Sequence, residues 1–222
     1  MQDSRFKFYQ NKTNKGCGYT KRKCLDLSTG EYCAFIDPDD ALFSDAVECL
    51  LDELCKSSKV IAAYSKLVFC DENLNPQEIF SKIRQIHNNK YFFNIPIQIQ
   101  PFFAFKRNAY MKTSGINPIL KNAVDQDLYL KLLEIGDAKF VDKVSYKYRL
   151  HSNGISQHGA KQSAKESFAR VIHETMRRRN ITVINGNPVP VIYTNAKDIY
   201  NLLNYQTKIP YRLMNKIRMV FQ

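Results

Sequence analysis

The feature that most constrains this chain is a short apolar run that ends in acids, "EYCAFIDPDDAL", residues 31–42. Tyr32 to Ile36 has the length and the aromatic or β-branched character of a buried strand. It stops in three carboxylates within four residues, Asp37, Asp39 and Asp40. Ahead of it, "YTKRKCLDLSTG" predicts a helix closed near Gly30. Behind it, Ser44 can cap a helix that carries Ala46, Val47, Leu50, Leu51 and Leu54 on one face, and "KVIAAYSKLVFCD" predicts one or two strands. Strand and helix in alternation are the rhythm of a parallel α/β sheet. Ligands of such sheets bind beyond the carboxyl ends of the strands, which is where this reading puts the three aspartates. Neighbouring carboxylates repel, but a hard divalent cation reverses the sign: Mg²⁺ takes one or two carboxylates and completes its shell with phosphate oxygens and water. An ordinary acidic turn, with Asp39 or Asp40 as a cap, is the plain alternative.

The rest of the chain is read in the same way. "RFKFYQN" alternates like a short strand, and "NPQEIFSKIRQIHNN" predicts a helix behind Pro76. Residues 91–107 are expected to be extended. Val124, Leu128, Leu132 and Ile135 fall on one helical stripe that ends at Gly136, with Asp127 in the first turn. "AKFVDKVSYKYRLH" predicts a strand running into the loop "HSNGISQHG", and Lys161 to Arg179 a long basic helix. Residues 209–222 are amphipathic, with Leu213, Ile217, Met219, Val220 and Phe221 set against Arg212, Lys216 and Arg218.

Composition excludes several classes. With 44% hydrophobic residues in 222, the chain can build a sizeable core. No run approaches the roughly 18 apolar residues that span a bilayer; the best, Tyr91 to Phe105, is broken by Asn94, Pro96, Gln98, Gln100 and Pro101. "MQDSRFKFYQ" has no signal-peptide core, so the expected location is cytoplasmic, with peripheral contact on the inner membrane face as an option for the tail. The six cysteines form no C-x-x-C pair and accompany no histidine cluster, which argues for reduced thiols. The net charge of +12 is uneven: +4 over residues 1–36, zero over 37–160 and +8 over 161–222. A basic tail can grip nucleic acid through Arg177, Arg178 and Arg179, an anionic membrane, or phosphate-bearing substrates. Nucleic acid explains the tail but not the acids. A C-terminal helix simply packed on its domain, with its charges solvated, is the plain alternative.

Taken together, "GCGYTKRKCLDLSTGEYCAFIDPDDAL", "DQDLYLKLLEIG" and "YKYRLHSNGIS" resemble, in this order, three blocks of the family 2 glycosyltransferases. The resemblance implies an α/β nucleotide-sugar fold of the glycosyltransferase A type, mostly parallel, over residues 1–158, followed by a basic helical extension over 159–222. It implies Asp37 and Asp39 as ligands of Mg²⁺ or Mn²⁺, with Asp40 beside the donor. It implies Asp127 as the base that deprotonates the acceptor, and Gln126 as the residue that orients acceptor or base. Arg149 and His151 match positions near the diphosphate or acceptor. Lys21 falls where relatives carry Arg followed by Asn, a departure since Arg22 comes next. The implied partners are a nucleoside-diphosphate sugar donor and a glycan or lipid-linked acceptor, in surface polysaccharide assembly with inversion. Relatives also place a strand, a helix and a second strand ahead of the region where this chain starts. The resemblance therefore implies an incomplete nucleotide-binding half: a fragment, a half completed by another polypeptide, or a non-catalytic remnant. Exposed sheet edges would then favour self-association.

Overall fold

The computed structural model of the chain describes residues 3–151 and 161–220. In chain order the elements are α1 (Cys17–Leu27), β1 (Tyr32–Ala34), β2 (Ala41–Leu42), α2 (Ala46–Lys56), β3 (Val60–Cys70), β4 (Pro76–Ile79), β5 (Phe103–Lys106), α3 (Arg107–Tyr110), α4 (Val124–Leu132) and β6 (Asp137–Arg149). Then come α5 (Lys161–Arg178), a small hairpin of β7 (Val183–Ile184) and β8 (Asn187–Pro188), α6 (Ala196–Leu203), a 3₁₀ turn and α7 (Ile209–Val220).

The central sheet has the order β1-β5-β3-β6-β2, with β4 added along β3. It is α/β as expected, but mixed rather than mostly parallel. Parallel pairing is confined to β3 and β6, the two longest strands, while β1, β2, β4 and β5 pair antiparallel. Through the antiparallel β5, strand β1 runs in the same direction as β3 and β6, so the carboxyl ends of all three lie at one rim. That rim receives Asp37 from β1 and Arg149 from β6.

The link from β1 to β2 crosses the same rim. Seven residue steps, Ala34 to Ala41, reach at most about 24 Å, whereas five strands abreast spread about 19 Å. The link also spends length on a turn in which the Asp40 N–H donates to the Asp37 carbonyl at 3.1 Å. The link therefore has little length to spare in joining the two edge strands, and the acidic turn is drawn across the ends of the strands.

The larger core gathers Ala46, Leu50 and Leu54 of α2, the buried run of β3 and the apolar side of α4. Val47, expected on the buried face of α2, is instead exposed. A smaller core joins Ala169, Ile172 and Met176 of α5 to Ile199 and Leu203 of α6 and to Phe93. Arg179 bolts this helical part to the body, its guanidinium donating to the carbonyls of Lys90, Phe92 and Leu130. Arg178 and Arg179 both pair with Glu134, and Arg177 donates to the Val191 carbonyl. The three arginines offered above as phosphate contacts thus all make bonds within the chain. The boundary expected near residues 158 and 159 lies outside the described residues, as does "SNGISQHG" at 152–159.

Two segments depart from expectation. "RFKFYQN" forms no strand, and Phe6 and Phe8 stand exposed, since alternation without a partner strand yields no ladder. Residues 76–89 are not helical. Pro76 to Ile79 pair along β3, Phe80 meets Phe69 edge-on at 5.7 Å, and Ile83 and Ile86 are buried from irregular chain. The open edge of β3 outweighed a helical spacing of isoleucines.

Candidate active site

Three parts of the chain build the site at the rim. The first is α1, clamped by a close approach at Gly18. The Gly18 N–H donates to the Leu120 carbonyl at 2.9 Å, and a Cβ there would stand 2.5 Å from the Asn117 oxygen and 2.7 Å from that of Leu120. One helical turn on, α1 presents Lys21. Its ammonium lies 3.1 Å from Asp37 Oδ1 and 2.8 Å from Asp125 Oδ1, over the ring of Phe35 at 5.3 Å. Burial alone pulls this ammonium's pKa down, but Asp125 and Asp37 outweigh it, and the pKa stands above the ordinary lysine value.

The second part is the acidic turn, and the third is the end of β6, which holds it. Asp40 has both oxygens committed: Oδ2 accepts from the Tyr146 hydroxyl at 2.7 Å and Oδ1 from the Arg149 N–H at 2.8 Å. Burial raises its pKa against those two donors. Tyr146 also accepts from the Asp37 N–H at 3.3 Å, and burial, followed by its bond to Asp40, pushes its own pKa up. Asp40 is therefore a brace between turn and sheet, with both oxygens it was expected to offer a donor already accepting hydrogen bonds. Arg149 donates from Nε to the Asp39 carbonyl at 2.6 Å and from Nη1 to the Glu72 carbonyl at 2.9 Å, so much of its guanidinium also braces the turn. His151 Nε2 lies 2.8 Å from Asp39 Oδ2. Asp37 and Asp39 keep part of their carboxylates open to solvent.

The structure thus brings Lys21, Asp37, Asp39, Asp40, Arg149 and His151 together, and it leaves Gln126 and Asp127 out. Gln126 is buried, its amide donating to the Phe93 carbonyl and its oxygen accepting from Asn94. Asp127 is 0% exposed. Its Oδ2 accepts from the Asn117 N–H and from Lys131 Nζ, both at 2.8 Å, and its Oδ1 is buried without a partner. Asp127 is thus paired inside the fold, away from the aspartate turn. The carboxylate that faces Asp37 is Asp125, which lines one cavity with Lys21, Phe35, Asp37, Leu128 and Tyr129. The signal was in the sequence: Leu128 and Tyr129 lie three and four residues after Asp125, on the same helical face, whereas Asp127 is two residues on and points the opposite way.

Counted at the rim, four carboxylates (Asp37, Asp39, Asp40 and Asp125) meet two fixed cations, Lys21 and Arg149. That surplus of negative charge suits an added cation. Among the described residues no three His, Cys, Asp or Glu side chains form a closed metal cage. An open set of one or two carboxylates is what Mg²⁺ takes when phosphate and water supply the rest.

Comparison with known proteins identifies the fold and the family. A crystal structure of residues 1–349 of S. aureus TarS in complex with UDP-GlcNAc superposes on 89% of this chain and 54% of its own, with a TM-score of 0.60 at 16% identity. The architecture is the nucleotide-sugar fold of the glycosyltransferase A type. Residues 1–113 match the profile of Glycosyl transferase family 2, and the chain belongs to that family. A hyaluronan synthase of Pasteurella multocida is 29% identical over 204 residues, covering 90% of this chain and 20% of that protein. A chondroitin synthase of Escherichia coli is 31% identical over 195 residues, covering 83% of this chain and 26% of that protein. The chain spans only about a fifth to a quarter of the length of these relatives.

Proposed function

We propose that this chain transfers a sugar, with inversion, from a nucleoside diphosphate to a hydroxyl of a glycan or lipid-linked acceptor during polysaccharide assembly. Two observations support this chemical class: the relatives are named hyaluronan synthase and chondroitin synthase, and the TarS structure carries UDP-GlcNAc. The observation that carries the mechanism is the single ammonium of Lys21 held between Asp37 and Asp125. A donor-side carboxylate and an acceptor-side carboxylate there flank one cleft, as in-line displacement at a sugar carbon requires.

Asp37 and Asp39 would hold Mg²⁺ or Mn²⁺, with His151 against Asp39 as a further donor. When bound, that ion supplies charge neutralisation for the departing diphosphate. Lys21 moves its ammonium toward the same phosphate oxygens, a charge-assisted contact, and so frees Asp125. Asp125 accepts the proton of the acceptor hydroxyl, a step worth roughly 10²–10⁴-fold in rate. Arg149 and Asp40 keep the turn rigid while charge builds, so no reorganisation of the turn opposes the reaction. Phe35, Leu128 and Tyr129 give the cleft an apolar lining.

Titration calorimetry with UDP in the presence and absence of Mn²⁺ tests the donor half of this reading. Binding should depend on the metal and weaken at least tenfold in Asp39→Ala, while Asp125→Asn binds UDP like the parent. Metal-independent binding, or an unaffected Asp39→Ala, removes the assigned metal role.

A further inference from the structure

Helix α7 turns outward the side that a helix packed on its own domain would bury. At 3.6 residues per turn, Ile209, Leu213 and Ile217 form one stripe at four-residue spacing, with Met214 beside it. Such a stripe ordinarily faces a core. Here Ile209 is 77% exposed, Leu213 56%, and Met214 and Ile217 50% each. The side that touches the protein is Tyr211 and Asn215, also four apart, with Tyr211 edge-on to Tyr205 at 5.0 Å between centroids. Lys208, Arg212 and Lys216 run along the border between the two faces. No acid follows Asp198 in the sequence.

A second observation lies where that cationic border meets the body. Arg84, in the irregular segment after β4, shares with Arg212 and Lys216 a cavity of about 70 Å³, to which Gln98 and Gln206 also contribute. No carboxylate lines it. Among the described residues the side chains of Arg84, Arg212 and Lys216 make no hydrogen bond or ion pair. Burial, and then the charge of Arg212, lower the Arg84 pKa from its ordinary value. Two guanidiniums gathered in a half-buried cavity with no counterion favour an anion that accepts from both, and phosphate is the group whose geometry matches that fork.

The geometry points to α7 as a docking surface for an anionic phospholipid bilayer, with the Ile209, Leu213 and Ile217 stripe entering the headgroup boundary and the Arg84, Arg212 and Lys216 cavity taking a headgroup phosphate. The two features adjoin, and one occupant satisfies both. The stripe alone suits a second copy of this chain, and the cavity alone suits free phosphate, but a bilayer presents apolar and anionic groups side by side. The surface shares no residue with the carboxylate cleft and is independent of the sugar-transfer reading.

Co-sedimentation of the full chain with vesicles of phosphatidylglycerol and phosphatidylcholine, against phosphatidylcholine alone, tests it. The chain should bind the anionic vesicles preferentially. At roughly fivefold per surface cation, Arg212→Gln with Lys216→Gln should lower partitioning roughly 30-fold. Leu213→Glu with Ile217→Glu should abolish it. These four side chains are exposed, so the variants should keep the parent's circular dichroism, and they stand in for Arg84→Gln if that half-buried substitution impairs folding. Equal binding to both vesicle types, or parental binding by either double variant, overturns the proposal. So does calorimetry showing inorganic phosphate bound without any vesicle binding. Self-association that Leu213→Glu with Ile217→Glu dissolves, again without vesicle binding, also overturns it in favour of a second copy.

Discussion

Asp125→Asn and Asp127→Ala, two residues apart on α4, should fail in opposite ways. Asp127 is 0% exposed, and its truncation removes the acceptor of the Asn117 N–H and of Lys131. Lys131, 9% exposed, keeps only the Gly115 carbonyl. Breaking a buried ion pair from one side costs about 3–5 kcal/mol, and the retained Gly115 contact argues for the lower end, about 3 kcal/mol. For a chain of this size that lowers Tm by about 6–12 °C. Asp125 is 35% exposed, and its replacement leaves Lys21 paired with Asp37. The stability cost is then about 1 kcal/mol or less, or a Tm shift of at most about 4 °C. Its effect belongs to kcat, which should fall roughly 10²–10⁴-fold. Asp127→Ala, assayed well below its Tm, should turn over within a few-fold of the parent. Scanning calorimetry paired with UDP release from a donor panel reads both quantities. Parental kcat in Asp125→Asn, or an Asp127→Ala that is as stable as the parent yet inactive, refutes the reasoning.

The same contacts support three further expectations. Gly18→Ala forces a methyl into the Asn117 and Leu120 carbonyls and should cost about 1–3 kcal/mol, while also lowering kcat because α1 carries Lys21; thermal melts and initial rates check both. The folded pKa of Lys21 lies above its unfolded one, so its stabilisation is complete below about pH 10.4 and is lost as pH rises through the folded value. Lys21→Met should therefore lower stability at neutral pH and flatten the alkaline limb of a denaturation series. Tyr146→Phe removes a donor to Asp40 and an acceptor for the Asp37 N–H; it should destabilise by about 1–2 kcal/mol and weaken metal-dependent UDP binding, read by denaturant melts and calorimetry.

The elements that could be read from sequence are those whose pattern and packing agree. Helix α2 carries Leu50 and Leu54 at helical spacing, and both are fully buried. β3 is apolar throughout because it is central, with neighbours on both sides and along its edge. Where tertiary contacts compete, local pattern loses: Pro76 to Ile79 joined the free edge of β3 despite the helical spacing of Ile79, Ile83 and Ile86. The rim residues Asp37, Asp39, Arg149 and His151 were legible as motif residues because strand ends must converge in this class of sheet. The resemblance picked out Asp127 rather than Asp125, the carboxylate beside Asp37, because a motif names residue types, whereas the side of a helix is set by two residues of phase. The outward stripe of α7 could not be read at all, since an amphipathic pattern states that two faces differ but not which one meets the protein.

The central claim is that the aspartate turn and Asp125 serve one cleft that holds a nucleoside diphosphate. The most direct measurement is a crystal structure of the chain with UDP and Mn²⁺, the ion located by its anomalous scattering. The account predicts the Mn²⁺ peak against Asp39 with Asp37 or His151, the diphosphate beside Lys21, and the Asp125 carboxylate across the cleft from it. Manganese or UDP bound elsewhere, or a diphosphate from which Asp125 is walled off, contradicts the account.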